Sequence, residues 1–188
     1  DLSATSAGVS PTAFDFESTM IHELFHAVGF LSTIDQNGAD PFGQGTTNAG
    51  DWGPFDQYVG NSSGILINGT TFQNNAAAYS SAVVGGAGSS GLGFWGPNAM
   101  AANGGQPVWL YTPTSFEDGS SGSHLDDEFA PYNFVMEAST NTGPGLRTLS
   151  PQEIGILKDI GYTNIVPEPS SSVLVLLGGL LLGHRRRP

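Results

Sequence analysis

The stretch 12–30 constrains this chain of 188 residues more than any other. Phe16, Met20, Ile21, Leu24, Phe25 and Val28 recur there at three- and four-residue intervals, the spacing of one buried helix face. Ser10 and Pro11 predict an N-cap and first helical residue, and Gly29 predicts the end. On this helix stands His22-Glu23-Leu24-Phe25-His26. Residues four apart share a helix face, so both imidazoles reach a single Zn²⁺ and Glu23 falls beside the water that such a metal activates. Zinc lowers the pKa of that water toward neutrality, which suits hydrolysis without a covalent intermediate.

A catalytic zinc usually takes three protein ligands and leaves its fourth position to water. The chain has four histidines, and His184 belongs to a basic C-terminal cluster, so His124 is the remaining imidazole. A carboxylate from Asp126, Asp127, Glu128 or Glu137 is the alternative, and imidazole is the commoner choice. The run Asp126-Asp127-Glu128 has readings of its own: a Ca²⁺ site, a solvated acidic loop, or, for Asp126, an acceptor that orients His124.

Composition excludes several classes of function. Seventeen Asp and Glu face five Lys and Arg, a net charge of −12, and three of the cations are the terminal Arg185, Arg186 and Arg187. Residues 1–166 hold 16 acidic and 2 basic groups. So acidic a body repels phosphate backbones, which argues against nucleic acid as a partner. The absence of cysteine removes disulfides, thiolate zinc sites and cysteine nucleophiles together. Gly 27 and Pro 12, with 12% charged residues, point to a loop-rich, exported protein.

Residues 33–122 read as an irregular, partly β insertion over the core. Gly64 to Ile67 and Val108 to Tyr111 are its strand-like runs, and Asn37-Gly38, Asn68-Gly69 and Asn103-Gly104 are its turns. Trp52, Phe55, Tyr58, Phe94, Trp95 and Trp109 need burial, and the glycine-rich stretch 83–93 reads as a mobile loop. Ser150, Pro151 and Glu153 predict a capping box for a second helix, with Ile154, Leu157 and Ile160 as its apolar stripe and Gly161 as its end. Residues 1–166 are thus expected to form one domain, with 167–188 as a tail.

His22-Glu23-x-x-His26-x-x-Gly29 resembles the start of the metzincin zinc-protease signature. That signature carries a third histidine three residues after the glycine, where this chain has Ser32. Gly29-Phe30 and the distant His124 resemble instead the leishmanolysin-like arrangement, in which an insertion separates the second and third histidines. Met136, in Asn133-Phe134-Val135-Met136-Glu137, stands where such proteins place a methionine turn beneath the metal, and 149–157 resembles their C-terminal helix. The resemblance implies an α+β zincin fold represented by its C-terminal part: active-site helix, glycine-rich insertion, methionine turn and C-terminal helix. Only 21 residues precede His22, so the N-terminal sheet subdomain of that family is expected to be missing. A further departure is Ala138, where some metzincins carry a tyrosine that approaches the metal; Tyr132 lies near in sequence.

The tail has three parts: Pro167-Glu168-Pro169, an apolar run over 173–182, and His184 with the three arginines. This order resembles the PEP-CTERM sorting signal of Gram-negative bacteria. The apolar run is shorter than the roughly 20 residues of a permanent membrane helix. The resemblance implies export, transient membrane association through 173–183, processing by an exosortase, and residence at the cell surface or outside the cell. The expected activity is that of a secreted zinc metalloendopeptidase acting on peptide or protein substrates, with His22, His26 and His124 as ligands and Glu23 as general base. The alternative is a non-catalytic surface or matrix protein with a structural or vestigial zinc site.

Overall fold

A computed structural model describes residues 1–40, 42, 50–127 and 134–163. Glu128, Tyr132 and the tail 167–188 lie outside the described residues. The described residues form an α+β architecture: helices α1 (Phe16–Ala27), α2 (Ala76–Ala82), α3 (Pro97–Ala102) and α4 (Pro151–Asp159) around one small antiparallel sheet.

Helix α1 begins five residues later than Ser10-Pro11 predicts. Ser10 instead closes a turn whose Ala13 N–H donates to its carbonyl, and Asp15 is the N-cap, accepting from the Ser18 N–H at 3.3 Å. Asp15 also receives the Arg147 guanidinium at 2.9 Å, which holds its carboxyl down at about 2. At the other end Gly29 has φ +97°, a conformation that side chains oppose, and the turn it permits sends the fully buried Phe30 into the core.

The apolar stripe of α1 divides in two. Ile21 and Phe25 pack against the core. Phe16, Met20 and Leu24 form a separate outer face, 52%, 40% and 55% exposed, and Val28 beyond the helix continues it. No side chain of α1 is fully buried, so the expectation of one covered face gives way to an inner face against the core and an outer one in solvent.

Residues 33–122 contain the sheet and two short helices that the sequence does not signal. Strands β1 (Val59–Asn61), β2 (Gly64–Ile65), β3 (Gly93–Phe94) and β4 (Val108–Trp109) lie in the order β2-β1-β3-β4, every pair antiparallel. Phe30, Phe55, Phe94 and Tyr58 make a tilted aromatic series through the core, with ring centroids 4.9–5.3 Å apart. The stretch 83–93 is packed rather than mobile. Val83 and Leu92 are buried, the Gly86 N–H donates to the Thr112 carbonyl, and a Cβ on Gly91 would collide with the Thr112 side chain.

Beyond β4 the sheet edge continues in single bridges, and this edge carries the site. Leu110 bridges Leu125 and Leu125 bridges Glu137. The Tyr111 N–H donates to the His124 carbonyl, and the Leu125 N–H to the Met136 carbonyl, both at 2.8 Å. The insertion therefore leaves the end of α1 and returns to it. Ser32 N–H donates to Ser123 Oγ, whose hydroxyl donates back to the Ser32 carbonyl, both at 3.2 Å.

Helix α4 forms as its capping box predicts, with Glu153 N–H on Ser150 Oγ and Ser150 N–H on Glu153 Oε2. The other oxygen of Glu153 accepts the Met136 N–H at 2.9 Å. A residue chosen locally as a helix cap thus also pins the backbone at Met136, and it does so fully buried.

Candidate metal centre

His22 and His26 project from one face of α1, and the edge segment 124–126 brings His124 over them. The three Nε2 atoms form a nearly equilateral triangle: 3.1 Å from His26 to His22, 3.1 Å from His26 to His124 and 3.2 Å from His124 to His22. Tetrahedral zinc with Zn–N bonds of about 2.0–2.1 Å requires ligand nitrogens about 3.3 Å apart. The triangle is close to that size.

Protonation makes the same point. Each Nδ1 faces a backbone carbonyl: Val135 for His22 at 2.8 Å, Phe30 for His26 at 2.9 Å and Ser120 for His124 at 3.1 Å. A carbonyl only accepts, so each Nδ1 carries the proton and each Nε2 is left with a lone pair. Three lone pairs converging at hydrogen-bond distance repel one another, and a cation between them removes the conflict. The donor set, three neutral imidazoles, fits Zn²⁺ well and Ca²⁺, which takes oxygen ligands, poorly. Among the described residues this is the one group of histidines and carboxylates placed to hold a metal ion.

Burial favours the neutral form of His26 and His124. Desolvation is the largest cause of the lowered pKa of both His26 and His124, and it carries His124 down to about 4, with the neighbouring imidazoles acting in the same direction. His124 is 6% exposed. The unfolded chain protonates His124 near pH 6.5 and the folded chain only near 4, so this residue's contribution to stability is complete above 6.5. It is lost as the pH falls through that window, to the extent of about 3 kcal/mol. In an NMR titration of the metal-free protein the His124 ring is expected to titrate near pH 4; a midpoint at 6 or above would contradict its burial as a neutral ligand.

Glu23 is exposed, and its carboxylate has no hydrogen bond to another described residue. It lies within electrostatic reach of His26. Met136 is fully buried in the turn that pairs with Leu125, the residue after His124. The first residue of the acidic run after His124 is not solvated. Asp126 is 3% exposed and accepts the Gly88 N–H at 2.6 Å. It does not orient His124, whose Nδ1 is held by Ser120. Asp127 accepts the Ser139 hydroxyl, and no calcium-like cluster forms among the described residues. The sequence reading missed the three carbonyls that fix the rings and the link from Glu153 to Met136. Only the Phe30 carbonyl had a local signal, the turn at Gly29.

No family model, no curated protein and no solved structure matches this chain.

Proposed function

We propose that this protein is a zinc-dependent metalloendopeptidase, exported to the cell surface or beyond it. One observation carries the reading: three imidazoles converge on one point, no fourth protein ligand stands among the described residues, and a free carboxylate, Glu23, lies alongside. Structural zinc sites are closed by four protein ligands, whereas catalytic ones keep a position open.

His22, His26 and His124 would hold Zn²⁺ through Nε2. When bound, zinc supplies a Lewis acid for the scissile carbonyl and lowers the pKa of water. The three backbone carbonyls keep the rings aimed and in the right tautomer. Glu23 takes the proton of the attacking water and returns it to the departing amine. The resemblance of His22 to Phe30, His124 and Met136 to the leishmanolysin-like metzincins supports peptide bonds as the substrate. The order of Pro167-Glu168-Pro169, the apolar run and the arginines supports a PEP-CTERM sorting tail and an exosortase as processing partner. Among the described residues no helix is long and apolar enough to cross a membrane.

The zinc-loaded protein is expected to hydrolyse casein, to lose the activity to 1,10-phenanthroline and to regain it with added zinc. A protein that holds one zinc and cleaves neither casein nor a broad peptide library overturns the reading in favour of a non-catalytic surface protein.

A further inference from the structure

Between α1 and the segment 134–146 lies a solvent-open cavity of about 160 Å³, lined among others by Ser18, Val135, Glu137, Thr140 and Asn141. Two links tie it to His22, the first of the three histidines. Ser18 precedes His22 by one turn on the same side of α1, and Val135 is the residue whose carbonyl holds the His22 ring. Cavities of about 150 Å³ take a molecule the size of benzene, so this one has room for a single side chain.

The charge of the cavity is one-sided. Glu137 accepts the Phe134 N–H at 2.8 Å through one carboxylate oxygen, and the other accepts no hydrogen bond from a described residue. Asp127 and Glu153 add negative potential there. No counter-ion is at hand among the described residues. Arg147 is paired with Asp15 and Glu17, Lys158 is on the exposed side of α4, and neither lines the cavity. Burial, the largest cause, pushes the Glu137 carboxyl above the usual carboxylate range, so an incoming cation relieves a real desolvation cost. The remaining lining, Ser18, Thr140 and Asn141, offers hydroxyl and amide oxygens to the hydrogens of an ammonium or guanidinium group.

We propose that Glu137 makes this cavity the pocket for a lysine or arginine side chain of the substrate, adjacent to the bond that is cut. The assignment rests on the peptidase reading, deepens it to a substrate class, and is tested by two measurements whose failures differ. In a positional-scanning peptide library, the zinc-loaded protein is expected to favour Lys or Arg at one fixed position beside the cleaved bond. Glu137→Gln keeps the acceptor for Phe134 N–H and is expected to lower kcat/KM for those peptides by about tenfold or more, while uncharged substrates change less than about twofold. Thr140→Lys, which sets a cation in the pocket, is expected to disfavour basic peptides in the same way. An unaltered basic preference in Glu137→Gln, or a parent that cleaves peptides without such a preference, overturns the pocket.

The second measurement needs no turnover. Calorimetry compares a hydroxamate-capped lysyl peptide with its norleucyl counterpart, which lacks only the ammonium group, on the zinc-loaded parent and on Glu137→Gln. About tenfold tighter binding of the lysyl ligand by the parent alone sustains the pocket even if no peptide is ever cleaved, in which case the peptidase reading falls by itself. Equal affinities for the two ligands overturn the pocket whatever the activity.

Discussion

Glu23→Gln is expected to lower kcat/KM for peptide hydrolysis by about a thousandfold, within the 10²–10⁴ that a positioned general base contributes, and to leave zinc content unchanged. The separation of the two effects follows from where the residue stands. Glu23 is on α1 between the two histidines but is not among the atoms that converge, since the triangle is made by His22, His26 and His124 alone. It is exposed and makes no hydrogen bond to another described residue, so the amide costs the fold nothing. Exposed substitutions of this kind change stability by about 0.5 kcal/mol or less. Zinc content by atomic absorption, a thermal melt and a fluorogenic peptide assay on the same preparation give the three readings. A variant that keeps more than a tenth of the parent activity removes Glu23 from the mechanism. A variant that loses zinc along with activity makes the carboxylate part of the metal site instead of its neighbour.

What the sequence made legible was local. The capping box of α4 lies within four consecutive residues, Ser150 to Glu153, and it formed as read. Histidines four apart on a strongly patterned helix needed no tertiary knowledge either, and His124 was reachable because so few histidines compete for the third place. Helix α1 starts after Asp15 and not at Ser10-Pro11: both residues offer local caps, and Arg147 holds Asp15 in place from 132 residues away. The division of the α1 stripe is equally non-local. Periodicity marks which residues are apolar, but which of them meet the core depends on what is folded against the helix, here Phe30 and its neighbours on one side alone. Glycine content misled in 83–93, since small residues serve a close backbone approach as readily as mobility, and Gly91 beside Thr112 is the former. The ring-holding carbonyls of Val135 and Ser120 had no signal at all, because a backbone oxygen is the same in every residue.

His124→Ala is expected to lower zinc affinity by more than about a hundredfold, since losing even an outer-shell partner of a zinc ligand costs about 10- to 100-fold. The reason lies in how the third histidine arrives. A contiguous motif would carry it at Ser32; here the chain makes an excursion through the whole sheet and comes back to clasp Ser32 with Ser123, one residue short of His124. The ligand is therefore delivered by the fold rather than by the helix, and its loss leaves His22 and His26 in place on α1. Truncating so buried a side chain also loosens its surroundings, by about 1–3 kcal/mol, so metal and fold have to be read separately. Zinc at a thousand times its dissociation constant stabilises a folded site by about 4 kcal/mol. Melts with and without zinc should differ by that order in the parent and by about 1.4 kcal/mol or less in His124→Ala, whose metal-free melt reports the packing loss alone. Asp127→Ala and Glu137→Gln, which alter two of the carboxylates that could serve in place of the imidazole, should keep the zinc-dependent shift intact. If His124→Ala kept it while either of these lost it, the third ligand would be a carboxylate, and the convergence of three Nε2 atoms at 3.1–3.2 Å would need another cause.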